Sequence, residues 1–88
     1  MARQANYNVT AYDMDGATIL TQHVSTKLEC GRVARAMLAY SNVYTVEVTN
    51  TKAANVTDYK VGNYVKTSGR TACYIPNGGA VRNVRISF

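Results

Sequence analysis

The residues that could do chemistry are few in this 88-residue chain. They are two carboxylates at Asp13 and Asp15, one histidine at His23, cysteines at Cys30 and Cys73, and a basic, tyrosine-rich second half. A close carboxylate pair can supply a nucleophile and an acid/base beside a divalent cation. A histidine serves as general base where a carboxylate orients it and a nucleophile lies in reach, and nothing at suggestive spacing supplies either to His23. Two cysteines and one histidine fall short of the four ligands, in paired short spacings, of a structural zinc site. The cysteines are also too few and too far apart for a disulfide framework, so both read as buried thiols. No metal and no cofactor is expected.

The segment Tyr12-Asp13-Met14-Asp15-Gly16-Ala17-Thr18 resembles the Asp-x-Asp-Gly-Thr motif of haloacid-dehalogenase-type phosphatases, which also follows a strand. The resemblance implies Asp13 as covalent nucleophile and Asp15 as acid/base. It covers five or six residues: Ala17 separates the glycine from the threonine, no later acidic pair exists to hold magnesium, and the chain is too short for that family's fold. The other reading of Asp15-Gly16 is a two-residue hairpin turn, which needs nothing further. The expectation is therefore that the protein is not an enzyme. Asn77-Gly78-Gly79 lacks the lysine and the following helix of a phosphate cradle and reads as a turn.

Charge is the most informative bulk property. Residues 1–50 carry four basic and four acidic side chains; residues 51–88 carry six basic and one acidic, so the second half accounts for the whole net charge of +5. That asymmetry predicts an anionic partner for the second half. Lys60-Val61-Gly62-Asn63-Tyr64-Val65-Lys66 resembles the basic and aromatic strand motif with which RNA-recognition and cold-shock domains stack bases, with Asn63 where an aromatic is expected. Tyr59, Tyr64 and Tyr74 interleave with Lys60, Lys66 and Arg70, and Arg82 and Arg85 follow, a set able to combine stacking with phosphate neutralisation. Arg32 and Arg35 form a second candidate binding surface, on the expected exposed face of a helix.

The elements that must position these groups are legible in outline. Tyr7 to Met14 and Ala17 to Val24 form a hairpin around Asp15-Gly16. Thr26 and Glu29 form a capping box, predicting a helix from Lys27 to about Tyr40 with Cys30, Val33, Ala34, Met37 and Tyr40 on its buried stripe and Asn42 as a left-handed stop. Val43 to Thr49 alternates as a strand, with Tyr44, Val46 and Val48 on one face. Thr51 to Asn55 is a loop or a helical turn. A hairpin is then expected from Val56–Val61 and Tyr64–Thr67 around Gly62-Asn63, followed by strands at Arg70–Ile75 and Val81–Phe88.

The fold class is α+β, one amphipathic helix packed on a mainly antiparallel sheet in the order β-β-α-β and then hairpin-linked strands. At 47% hydrophobic and 17% charged, residues 1–88 make one domain. With no apolar run of membrane-spanning length and no hydrophobic leader, the expected compartment is the cytoplasm. The leading functional expectation is a small binding protein that occupies a surface on a larger macromolecule, a protein or protein–nucleic acid complex with an anionic surface. An accessory protein of a phage or mobile element that inhibits host nucleic-acid-handling machinery would fit this description. The alternatives are direct nucleic-acid binding by the basic, tyrosine-rich half and a structural homo-oligomer.

Overall fold

The computed structural model of the protein describes residues 6–52 and 59–86. Its elements are β1 (Tyr7–Tyr12), β2 (Thr18–Val24), α1 (Lys27–Leu38), β3 (Thr45–Asn50), β4 (Lys60–Lys66), β5 (Thr71–Pro76) and β6 (Arg82–Arg85). The strands form one sheet in the order β2-β1-β3-β4-β5-β6, every neighbouring pair antiparallel. Among the described residues, helix α1 lies on one face of this sheet, against β1, β2 and β3, which is the α+β architecture expected. No helix of the described residues is long and apolar enough to cross a membrane.

The first hairpin turns differently from the expected two-residue type. Gly16 has φ +85° and, among the described residues, no non-glycine residue has positive φ, so Asp15 does not share the left-handed geometry that a tight Asp-Gly turn demands. Gly16 N instead donates to the Asp13 carbonyl at 3.1 Å, and Asp13 N to the Ala17 carbonyl at 3.0 Å, closing a three-residue loop with glycine at the left-handed position. In β2 the register shifts, leaving Ile19 between the pairs Ala11–Leu20 and Tyr12–Thr18. That bulge turns Ile19 toward the core and resolves which face of the strand is inward.

Helix α1 starts where expected. Thr26 is its N-cap and accepts from Glu29 N at 3.2 Å, while the Glu29 carboxylate accepts from the Thr26 hydroxyl at 3.0 Å. It ends earlier than expected, at Leu38. Tight turns carry the chain onward, with Ala39 N donating to Ala36 O, Tyr40 N to Met37 O and Val43 N to Tyr40 O. Asn42 is not left-handed, and Tyr40, expected on the buried stripe, is 63% exposed because the helix no longer carries it over the sheet. Cys30, Ala34, Met37 and Leu38 make the buried face, with Val33 half-buried beside them.

They pack on Val9 and Ala11 of β1, Val24 of β2 and Val46 and Val48 of β3, and the core runs on through Tyr64, Tyr74, Ala72 and Ile86. The register places these strand residues on one face. The opposite face holds Asn8, Thr10, Thr21, His23, Thr45, Glu47, Asn63 and Asn83 together with Tyr12, Val65, Cys73 and Ile75, so it is mainly polar over β2, β1 and β3 and partly apolar over β4 and β5. Tyr44, expected to share a face with Val46 and Val48, lies before that strand and is 38% exposed.

The expected turn at Gly62-Asn63 is the middle of a continuous strand. Gly62 pairs with Val48 on one side and Pro76 on the other. A Cβ at Gly62 would lie 2.8 Å from Cε1 and from Oη of Tyr74 and 3.0 Å from the Ile75 carbonyl oxygen. This glycine therefore serves a close approach, leaving room for an aromatic ring across the sheet. The expected strand from Val56 and the extension to Phe88 lie partly outside the described residues, as do residues 53–55.

Candidate functional site

Helix α1 covers the β2-β1-β3 side of the sheet and leaves part of the inward face of β4, β5 and β6 open. Between the first turns of the helix and these strands runs a groove of about 280 Å³, lined by Lys27, Leu28, Gly31 and Arg35 from the helix and by Val48, Val61, Tyr64, Tyr74, Arg82 and Val84 from the sheet, with Cys30 at its floor. Gly31 leaves space here, since a Cβ would meet the Tyr64 hydroxyl at 3.6 Å.

Register assembles the aromatic centre. Tyr64 pairs with Tyr74, and Tyr74 with Arg82, so three residues scattered over the sequence stand side by side on one face. The two rings lie 4.6 Å apart between centroids at an interplanar angle of 33°, and the Arg82 guanidinium sits 5.2 Å from the Tyr74 centroid. A guanidinium over a tyrosine face is attracted by the ring quadrupole. Arg35 is anchored too, its Nε donating to the Gly31 carbonyl at 3.2 Å. Burial pushes the Tyr64 phenol up, Tyr74 adds to that effect, and the Arg82 and Arg35 guanidiniums oppose it.

No carboxylate enters the groove from the described residues. Asp13 and Asp15 sit in the β1–β2 turn, where Asp13 Oδ1 accepts from the backbone amides of Asp15 and Ala17, both at 2.9 Å. Glu29 holds the helix cap, and Glu47 accepts from the Tyr12 hydroxyl on the polar face. Lys27, Arg35 and Arg82 thus form a cationic rim around apolar walls, able to receive a carboxylate or phosphate beside an apolar group.

Of the residues read from the sequence as candidates, Arg35, Tyr64, Tyr74 and Arg82 converge in this groove. Tyr64 and Tyr74 are 7% and 9% exposed, with faces engaged by each other and by Arg82, so they present edges and not open stacking platforms. Arg32 points into solvent from the helix. Lys60 is exposed at the start of β4, as is Tyr59 just before it. Lys66 is at the other end of that strand, where its Nζ donates to the Tyr40 carbonyl at 2.9 Å and ties the segment after α1 to the sheet. Burial pulls the Lys66 ammonium down. Arg70 and Arg85 line a separate concavity of about 730 Å³ with Gly69, Thr71 and Ile86. Lys27, Leu28, Val61 and Val84 were not among the candidates. The first two stand one helical turn before Gly31 and two before Arg35, a spacing visible in the sequence, whereas Val61 and Val84 join only through strand pairing.

The residues with other potential chemistry are placed apart. His23 is exposed on the polar face with its Nδ1 against Asn8 Oδ1. Cys30 is buried, and burial pushes its thiol up to about 11. Cys73, expected to be buried, is only half-buried because its position in β5 faces the polar side, where its thiol donates to Asn83 Oδ1 at 3.4 Å. Among the described residues, no group of three His, Cys, Asp or Glu side chains could hold a metal ion.

Neither family models, nor curated proteins, nor solved structures give a match to this chain.

Proposed function

We propose that the protein is a non-enzymatic binding protein that occupies an acidic, partly apolar surface of a larger protein, using the groove between α1 and β4–β6 as its contact. The observation that supports this most is that Arg35 and Arg82 are each held in place before any ligand arrives, one by a backbone carbonyl and one by a tyrosine ring. An arginine already ordered loses less side-chain freedom on binding, a cost of roughly 0.5–1.5 kcal/mol for each mobile side chain immobilised. Arginine and tyrosine are also the residues most enriched where interfaces concentrate their energy. The apolar walls at Leu28, Val61 and Val84 give the partner something besides charge to bury.

The tyrosine geometry favours a protein partner over single-stranded nucleic acid. Stacking recognition needs an aromatic face open to each base, and the faces of Tyr64 and Tyr74 are occupied. The test is fluorescence anisotropy with two labelled probes, a peptide of alternating glutamate and leucine and an oligothymidine, at low and at physiological salt. The peptide is expected to bind the parent. A double variant, Arg35→Glu with Arg82→Glu, is expected to weaken it by about a hundredfold, taking about tenfold for each reversed charge-assisted contact. Peptide binding that ignores the double substitution removes the groove from the reading. Oligothymidine binding tighter than the peptide, with a steep loss on adding salt, replaces the reading with direct nucleic-acid binding.

A further inference from the structure

The two edges of the sheet are unlike. Among the described residues β6 has only β5 as a strand neighbour, is four residues long, and carries an arginine at each end. Short strands and like charges are the usual protection against edge-to-edge pairing. At the other edge β2 has only β1 as a strand neighbour among the described residues, runs for seven residues, and contains no Lys, Arg, Asp, Glu or Pro. Its one irregularity is the bulge at Ile19, which leaves Leu20–Val24 as a regular segment. Gln22 and His23 are exposed there and Leu20 is 39% exposed.

We propose that two copies of the chain associate by antiparallel pairing of their β2 edges about Gln22, joining two six-stranded sheets into one. The segment Leu20-Thr21-Gln22-His23-Val24 is self-complementary about that centre. Leu20 falls opposite Val24 of the second copy on the helix-covered face, Thr21 falls opposite His23 on the polar face, and the two Gln22 amides meet each other. Apolar meets apolar and polar meets polar on each face, the condition that fixes register in a sheet. A two-fold axis perpendicular to the sheet also keeps both helices on the same face, as an isologous contact requires.

Charge distribution points the same way. The chain carries +5, all of it from residues 51–88, and the described part of that segment forms β4, β5 and β6. Pairing through β2 sets the two basic halves at opposite ends of the joined sheet. The grooves then lie about 40 Å apart at the usual strand spacing of roughly 4.8 Å, well beyond the screening length of about 8 Å. Pairing through β6 would bring the arginines of both copies together. The flank of α1 away from the groove, next to β2, presents Glu29, Val33 and Ala36 and no cation. A seam this short falls below the 1,200–2,000 Å² typical of stable interfaces, so the association is a weak, concentration-dependent one. Both grooves remain open in the pair, and the inference does not depend on what they bind.

Sedimentation velocity on the intact chain, from a few micromolar to about 1 mM, tests this. The parent is expected to move from a species of 9.6 kDa to one of twice that mass. Gln22→Lys and Gln22→Glu place like charges at the two-fold centre, and each alone is expected to stay monomeric across the range. An equimolar mixture of the two is expected to recover the dimer, since the charges then oppose correctly. Circular dichroism establishes that each variant keeps the parent fold, which an exposed edge position permits. A parent that remains monomeric at about 1 mM overturns the proposal, as does a dimer that persists in both single variants or fails to return in the mixture.

Discussion

Gly62→Ala is the substitution that most directly tests how this sheet is packed. Replacing a strand glycine by alanine ordinarily stabilises a protein by about 0.5–1 kcal/mol, because the unfolded chain loses freedom and the strand does not. Gly62 has no positive φ, so the backbone would accept the new residue without strain. The obstacle is the space: the added carbon meets Tyr74 at 2.8 Å through both Cε1 and Oη, and meets the Ile75 carbonyl oxygen at 3.0 Å. Tyr74 cannot swing aside freely, being 9% exposed, against Tyr64 on one side and beneath Arg82. The carbonyl belongs to the neighbouring strand and is fixed by the sheet. Overpacking of this kind costs about 1–3 kcal/mol. Set against the entropic gain, the middle of these ranges leaves a net loss of about 1 kcal/mol, or a fall in Tm of about 4–8 °C for a domain of this size. Thermal and urea unfolding followed by circular dichroism measure it. Gly69→Ala is the internal control, since nothing lies within 4 Å of its new carbon and its φ is not positive; it is expected to be neutral or to stabilise by up to about 1 kcal/mol. In a Tyr74→Leu background the penalty at Gly62 should shrink, because both contacts at 2.8 Å are gone and only the Ile75 carbonyl at 3.0 Å remains. A Gly62→Ala protein as stable as the Gly69→Ala protein would refute the reasoning, showing that the glycine is not there to admit the ring.

Two further outcomes follow from local chemistry. Thr26→Ala removes the hydroxyl that caps α1 and should cost about 1 kcal/mol by urea unfolding, with Thr26→Ser recovering most of it. Cys30, whose thiol is raised from 9.0 to about 11 by burial, holds its proton more tightly in the folded chain than in the unfolded one. Its contribution is therefore complete below pH 9 and is lost as pH rises through about 11, a fall of at most about 3 kcal/mol. Tyr64 and Tyr12 shift in the same direction and Lys66 in the opposite one, so the readout is the difference between the parent and Cys30→Ala in unfolding free energy at pH 8, 9, 10 and 11. Parallel curves for the two proteins would show that Cys30 carries none of the alkaline loss.

What the sequence determined by itself was whatever depends on neighbours within a few residues. The Thr26–Glu29 cap announces the start of α1 because its partners are three positions apart. The alternation of β3 announces a strand with Val46 and Val48 on one face, because side-chain direction follows the local period of two. The separation of charge into a neutral and a basic half was equally plain. Tertiary structure decided what depends on pairing. Gly62-Asn63 has the composition of a turn, and only the Tyr74 ring arriving from β5 makes glycine a strand residue there. Tyr40 continues a helical stripe in sequence and loses its burial because the chain leaves the helix after Leu38. The candidate site shows the same division. The residue types at Arg35, Tyr64, Tyr74 and Arg82 were legible as binding chemistry, whereas their meeting was not. Antiparallel register brings Tyr64, Tyr74 and Arg82 side by side and carries Lys66, Arg70 and Arg85 to the opposite end of the same strands. A side chain's chemistry is a local property, but its company is set by which strands pair and in what register, and that is fixed only when the whole core closes.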